Sequence, residues 1–353
     1  MLTDSVTSFI KDQMPAAIQA KRLTPELLNL IYTYKWFNLW VPKAYGGLGY
    51  GLPEGCALLE ELAYEDGGLG WTVTLCSGAN MFAGFINPAL AESIFSKPDV
   101  CWGGSGKPDG KAVKTEGGYL LTGFWKYATG APHLTHFTLN AWLYEGDSPV
   151  FNDAGEQVYH SFFVHRDQVL VHYDWDTFGL EVTASHSFSV DGVYVDAEQA
   201  FDLIPDQRTS EEPIFHYPFY AFAICTLAAN YIGMFRKFIQ LYEKQLLLKS
   251  NDKAWHDTKG KSLFQQLDAI TQVFEVKRKV ISDFIDRSWS GDLPDEEGVD
   301  LLHQQGKELV AFIREECSRL FPNTGITGAQ RDSEINRVFR NIFTATQHAL
   351  LGN

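Results

Sequence analysis

The chain has 353 residues, with 44 acidic against 29 basic side chains and a formal net charge of -15. That balance repels phosphate backbones and anionic lipid, no basic run reverses it locally, and neither nucleic acid nor a membrane surface is an expected partner. A hydrophobic fraction of 45% fills two or three packed units, no apolar run approaches the roughly 20 residues that span a bilayer, and the opening MLTDSVTSFIKDQ lacks a signal-peptide layout, so a cytoplasmic location is expected.

In chain order, apolar residues first recur at three- and four-residue steps in TDSVTSFIKDQMPAAIQAKR, TPELLNLIYTYKWF and PEGCALLEELAYED, which predicts an N-terminal helical domain over 1–97. Thr24-Pro25 and Leu52-Pro53 place proline at the first turn of two of these helices. From 98 to 210 the texture becomes β-branched and aromatic, with turn signals such as Gly117-Gly118 and Asp191-Gly192. GGYLLTGFWKY, HFTLNAWLY, YHSFFVH and SHSFSVDGVYV read as half-buried strands of an antiparallel β domain. Over 211–353 helical patterning returns in four blocks, Pro213 to Lys249, Lys261 to Trp289, Glu296 to Phe321 and Arg331 to Leu351, which predicts a four-helix bundle. Cys56, Cys76, Cys101, Cys225 and Cys317 are scattered without a Cys-x-x-Cys pair, so buried free thiols are expected rather than disulfides or a metal site.

Five segments carry candidate chemistry. Leu39-Trp40-Val41-Pro42-Lys43-Ala44-Tyr45-Gly46-Gly47-Leu48-Gly49 is a glycine-rich helix-to-loop junction, and Trp102-Gly103-Gly104-Ser105-Gly106 is a glycine-rich run whose bare backbone can approach a flat, oxygen-rich ligand. Trp125-Lys126-Tyr127-Ala128-Thr129-Gly130 carries a hydroxyl at Thr129, and Gly179-Leu180-Glu181-Val182-Thr183-Ala184-Ser185-His186-Ser187 reads as a strand whose Ser185 and His186 can reach a domain interface. At 100° per residue Arg337, Arg340, Thr344, Gln347 and His348 share one sector of the last helical block, a polar stripe that ends in a histidine.

These phrases, from about Leu39 to Leu351, together resemble the acyl-CoA dehydrogenase superfamily, and most closely its flavin-dependent monooxygenase branch. The resemblance implies the helical, β and four-helix-bundle architecture and a flavin, FAD or FMN, between the domains. It assigns flavin contacts to Trp102, Gly103, Gly104, Ser105, Tyr127, Ala128, Thr129, Ser185 and Arg340. Thr129 would lie beside the reactive ring nitrogen, and His348 over the carbon that meets oxygen, where an imidazole exchanges a proton near neutral pH. Glu181 and Ser187 depart from the branch's usual glycine-leucine-arginine-glycine-threonine-glycine-serine-histidine-aspartate strand.

The family's catalytic glutamate would fall at Ala349, and its alternative site near Ala223; neither alanine can take a proton. The dehydrogenases' adenosine-gripping arginine-x-x-phenylalanine-glycine segment reads Ser250-Asn251-Asp252-Lys253-Ala254-Trp255-His256 here. The expectation is therefore a reduced-flavin monooxygenase acting on a small aromatic or heteroaromatic molecule, fed by a separate flavin reductase, in a homo-oligomer (tetramer or dimer). A dehydrogenase with a relocated base and a scaffold that lost its cofactor are the alternatives.

Overall fold

In the computed structural model, which describes residues 2–352, helices occupy both ends of the chain and a sheet its middle. The N-terminal elements are α1 (Asp4–Ala20), α2 (Pro25–Thr33), α3 (Leu52–Glu65), α4 (Gly67–Asn80) and α5 (Pro88–Phe95). Side chains satisfy their first free N–H groups: Thr3 accepts from Val6 N at 3.4 Å, Thr24 from Leu27 N at 3.4 Å ahead of Pro25, and Asp66 from Gly68 N at 2.9 Å and Leu69 N at 3.1 Å. Helix α4 is apolar and buried nearly all round, so it runs through the interior rather than over the surface.

The glycine-rich junction before α3 is a packing device. A Cβ on Gly47 would stand 2.0 Å from Val41 O, and one on Gly55 1.9 Å from the Trp40 ring. That ring is wholly buried, and its Nε1 donates to Ser77 Oγ at 3.2 Å.

The sheet contains β1 (Trp102–Thr115), β2 (Gly118–Ala128), β3 (His136–Glu145), β4 (Ser148–Pro149), β5 (Tyr159–His165), β6 (Leu170–His172), β7 (His186–Asp196) and β8 (Ala200–Phe201), in the spatial order β6-β7-β2-β1-β3-β5-β8 with β4 beside β3. It is mixed rather than antiparallel throughout, because β1 and β3 run parallel. After the β1-β2 hairpin the chain crosses β1 through residues 129–135 and adds β3 on the far side, so Thr129 sits on the crossover. The glycine-rich run is itself strand β1. A Cβ on Gly104 would meet Thr138 O at 1.7 Å, and one on Gly110 the Trp125 ring at 2.1 Å, so these glycines let β3 and an aromatic core residue close on the strand.

The C-terminal elements are α6 (Pro213–His216), α7 (Phe219–Lys249), α8 (Lys253–Trp255), α9 (Lys261–Ser290), α10 (Glu296–Leu320), α11 (Ile326–Ala329) and α12 (Glu334–Ala345). Helices α7, α9, α10 and α12 form the expected bundle. Pro218 separates α6 from α7, where the sequence reads as one helix. Gly233 lets α7 touch α3: a Cβ there would be 2.2 Å from Glu60 O. Helix α12 stops at Ala345 instead of reaching Leu351, and a turn closed by Gly352 N donating to His348 O at 2.8 Å follows. His348 therefore lies beyond the helix. The polar stripe predicted for α12 is not a solvated face, since Arg340 is only 5% exposed. The five cysteines are free and buried, and among the described residues no helix is long and apolar enough to cross a membrane.

Candidate active site

Helices α4, α7 and α10, the sheet and the C-terminal turn enclose a cavity of about 1070 Å³. Its wall takes Thr74, Leu75 and Gly78 from α4, Gly103, Gly104, Ser105 and Gly106 from β1, Tyr127 from β2 and Thr129 from the crossover. Phe219, Phe222, Ala223 and Thr226 come from α7, and His348, Ala349 and Leu350 from the terminal turn. Residues more than 200 positions apart thus meet because α7 and the terminal turn close over the face of the sheet that α4 supports.

Of the sequence-predicted residues, Gly103, Gly104, Ser105, Tyr127, Thr129 and His348 line this cavity together. Tyr127 has φ 72, rare for a side chain of its size, where the β2-β7 register shifts between Trp125 and Ala128. The irregularity leaves the residue 64% exposed, with its ring edge-on to Trp175 at 5.9 Å.

Trp102, Ala128, Ser185 and Arg340 are not on the wall. Trp102 is wholly buried between Phe163 and Phe95, at ring separations of 4.6 and 5.1 Å, and its backbone N–H donates to Asn80 Oδ1 at 2.7 Å. Ala128 is buried in the core. Ser185 stands one hydroxyl behind the wall, 3.0 Å from Thr129 Oγ1 and 2.8 Å from Thr183 Oγ1. Arg340 clamps the loop before β7: its guanidinium donates to Phe178 O at 2.6 Å, Glu181 Oε2 at 2.7 Å and Asn336 Oδ1 at 3.0 Å. The Glu181 that departs from the family pattern is thus the partner of this arginine.

His348 Nδ1 accepts from Leu350 N at 3.3 Å, which selects the tautomer whose hydrogen is on Nε2. Its ring packs edge-on against Trp71 at 5.5 Å, and burial holds its pKa below the ordinary histidine value. At neutral pH the side chain is an uncharged N–H donor. His303, which sequence reasoning missed, also lines the cavity; its Nε2 donates to Leu350 O at 2.8 Å, and the Tyr220 hydroxyl lies 3.4 Å from its Nδ1. The available signal was a histidine adjoining the apolar seam Leu302, Gly306 and Leu309 of α10.

Both positions at which a dehydrogenase base is expected, Ala223 and Ala349, lie on the cavity wall. Among the described residues the one carboxylate on that wall is Asp202, which the His160 ring engages at 2.6 Å. The cavity is open to a ring system where its glycines face it. A Cβ on Gly106 would meet nothing within 4 Å, and one on Gly78 only Phe222 at 3.9 Å. Apolar walls from Leu75, Phe219 and Phe222 with Ser105, Thr129 and His348 at the margins suit a flat tricyclic group that is oily at one edge and hydrogen-bonding at the other.

A second hollow of about 670 Å³, lined by Lys11, Glu65, Lys237 and Arg337 among others, contains none of the expected flavin contacts. Cys76, Cys101 and His133 place their ligand atoms within 4.8 Å of one another behind the crossover. The Cys76 thiol donates to Thr129 O, burial pushes the Cys101 thiol up, and burial beside Arg166 lowers His133 to about 3, so the cluster reads as neutral packing.

Residues 1–93 match the acyl-CoA dehydrogenase N-terminal domain family. Indole-3-acetate monooxygenase of Pseudomonas putida is 22% identical over 338 residues, which cover 94% of this chain and 85% of that protein. The structure of the HsaA monooxygenase of M. tuberculosis superposes with a TM-score of 0.88 at 19% identity, covering 98% of this chain and 93% of that one. XiaF from Streptomyces sp., solved with FADH2 and glycerol, superposes with a TM-score of 0.83 at 20% identity, covering 98% and 89%.

Proposed function

We propose that this chain, which has the acyl-CoA dehydrogenase fold and resembles the oxygenase components of flavin-dependent monooxygenases, hydroxylates a small aromatic or heteroaromatic substrate with reduced flavin in the cavity between Thr129 and His348. The observation that carries this reading is the pair of alanines, Ala223 and Ala349, at both expected base positions, beside a neutral imidazole. Proton abstraction from a thioester needs a positioned base, whereas oxygen transfer needs a proton donor and a dry site.

When bound, the flavin supplies the electrons and the position at which dioxygen is activated. Gly103 to Gly106 and Thr129 would hold its hydrogen-bonding edge, with Phe219 and Phe222 excluding water from the apolar side and offering a face to a planar aromatic. His348 holds a hydrogen on Nε2 that it can donate and regain, while Leu350 N keeps Nδ1 an acceptor throughout. Tyr220 and His303 form a polar pair at the α10 side, a place for a substituent of the substrate.

The cofactor is FAD or FMN, delivered by a separate reductase. The indole-3-acetate monooxygenase and the FADH2-bound XiaF support an aromatic substrate and a reduced flavin respectively. Leu247, Leu248, Val273 and Val276 are exposed on the bundle helices α7 and α9 and support a homo-oligomer, dimer or tetramer.

The test is oxygen consumption and product analysis with chemically reduced FMN or FAD and a panel of aromatic acids and phenols. Protein-dependent hydroxylation is expected. Bleaching of bound oxidised FAD by acyl-CoAs would instead favour a dehydrogenase with a relocated base, and protein neither coloured nor stabilised by either flavin a scaffold.

A further inference from the structure

We infer that Thr183 and Ser185 fix the Thr129 hydroxyl as a hydrogen-bond acceptor toward the cavity, so that the site selects reduced over oxidised flavin. The inference rests on the flavin reading above and names two positioning residues behind the wall.

A buried file of hydroxyls, each with one hydrogen to give, sets the direction of every bond along it. Leu180 O is a carbonyl and can only accept, so the Thr183 hydroxyl, 2.8 Å away, spends its one hydrogen there. The 2.8 Å contact between Thr183 Oγ1 and Ser185 Oγ is then a bond that Ser185 donates. With the Ser185 hydrogen committed, the 3.0 Å contact between Ser185 Oγ and Thr129 Oγ1 is one that Thr129 donates. Exposures of 0%, 4% and 6% for Thr183, Ser185 and Thr129 leave little room for water to reverse the order.

The file starts from a rigid point. Leu180 N donates to Asn341 Oδ1 at 2.8 Å, Leu180 and Ala184 sit in the left-handed region at φ 55 and 44, and Arg340 grips the carbonyl of Phe178 and the carboxylate of Glu181. Gly130 N donates to Thr183 O at 2.8 Å, which ties the crossover to this loop. Among the described residues the one other side-chain bond to Thr129, from the Cys76 thiol, goes to its carbonyl and leaves the hydroxyl untouched.

Thr129 therefore faces the cavity with lone pairs. The central unsubstituted ring nitrogen of an oxidised flavin is also an acceptor, so a flavin bound with that nitrogen toward Thr129 would be repelled there. In the reduced flavin that nitrogen carries a hydrogen, and the same approach would make a bond. A free hydroxyl would turn to suit either form; the file removes that freedom.

The experiment measures dissociation constants of oxidised and of dithionite-reduced FMN and FAD, anaerobically, for the wild-type protein and for Ser185→Ala, Thr183→Val and Ser185→Thr. Ser185→Ala takes away the acceptor that holds the Thr129 hydrogen. Thr183→Val, close in shape to the native residue, frees Ser185 to donate toward Thr129, which releases the same hydrogen. The wild type is expected to bind the reduced form more tightly. Both disrupting variants should narrow the oxidised-to-reduced ratio by roughly 3- to 10-fold, the worth of one neutral hydrogen bond. The midpoint potential of the bound flavin should fall by about 15–30 mV, while Ser185→Thr keeps the wild-type ratio. An unchanged ratio in Ser185→Ala and Thr183→Val, or a wild type that prefers oxidised flavin, overturns the inference while leaving the flavin site standing. A wild type that binds neither form overturns the flavin reading beneath it.

Discussion

Replacing Arg340 with methionine separates a structural clamp from a cofactor contact. The Arg340 side chain is 7% exposed and that of its partner Glu181 16%, and the guanidinium makes hydrogen bonds to Phe178 O, Glu181 Oε2 and Asn336 Oδ1. Arg340→Met leaves the Glu181 carboxylate largely buried, with Arg331 Nη2 at 4.0 Å and the more distant Lys21 as cations near it. Breaking one side of such a pair costs about 3–5 kcal/mol, most of it from the charge left behind. Removing the charge as well, in Arg340→Met with Glu181→Gln, should recover part of that loss. The assay is urea unfolding at pH 7, followed by fluorescence of the buried tryptophans. A loss below about 1 kcal/mol accompanied by collapse of flavin affinity would refute the clamp and return Arg340 to the cofactor.

His348→Ala should leave the affinity for reduced flavin within about threefold while substrate hydroxylation falls at least about 100-fold and flavin oxidation continues uncoupled; single-turnover product analysis checks both. His133 and His136 are held at about 3 and about 4 by burial, below their unfolded value, so the unfolded chain binds more protons in acid. Their contribution is complete above the unfolded pKa and is lost as pH falls through the window toward those values, about 2 kcal/mol from each at pH 5; denaturant midpoints at pH 7.5 and 5 that coincide would contradict this. Gly55→Ala would press a methyl into the Trp40 ring and should cost about 1–3 kcal/mol or more, read as a lower melting temperature with the cavity-lining residues untouched.

The architecture was legible because each region keeps one period for long enough to be read. The run YHSFFVH is strand β5 as it stands, and HFTLNAWLY gains one residue in β3. The parallel β1-β3 pairing was not legible, since alternation specifies a half-buried strand but not its neighbour. The glycines of β1 suit a ligand's approach by sequence, yet Gly104 is bare because Thr138 O lies against it.

In the site, the expected residues that reach the cavity wall stand near a strand end or a turn: Gly103, Gly104 and Ser105 at the start of β1, Tyr127 and Thr129 at the end of β2 and just beyond it, and His348 in the terminal turn. The clamp made by Arg340 was not legible, because helical periodicity places the residue on a polar stripe and does not reveal that Glu181, 159 residues away, engages it. His303 gave no local signal strong enough to separate it from other residues of α10. The roles of Thr183 and Ser185 depend on which atom holds each hydrogen, a property of distances rather than of residue types.

The central claim, that this cavity uses reduced flavin to insert oxygen, is tested most directly by anaerobic loading with reduced FMN or FAD and an aromatic substrate, followed by one pulse of isotopically labelled dioxygen. One labelled oxygen atom in the aromatic product, dependent on the protein and lost in His348→Ala, is the predicted result. Label found only in peroxide or water across the substrate panel, together with bleaching of bound oxidised flavin by an acyl-CoA, would contradict it.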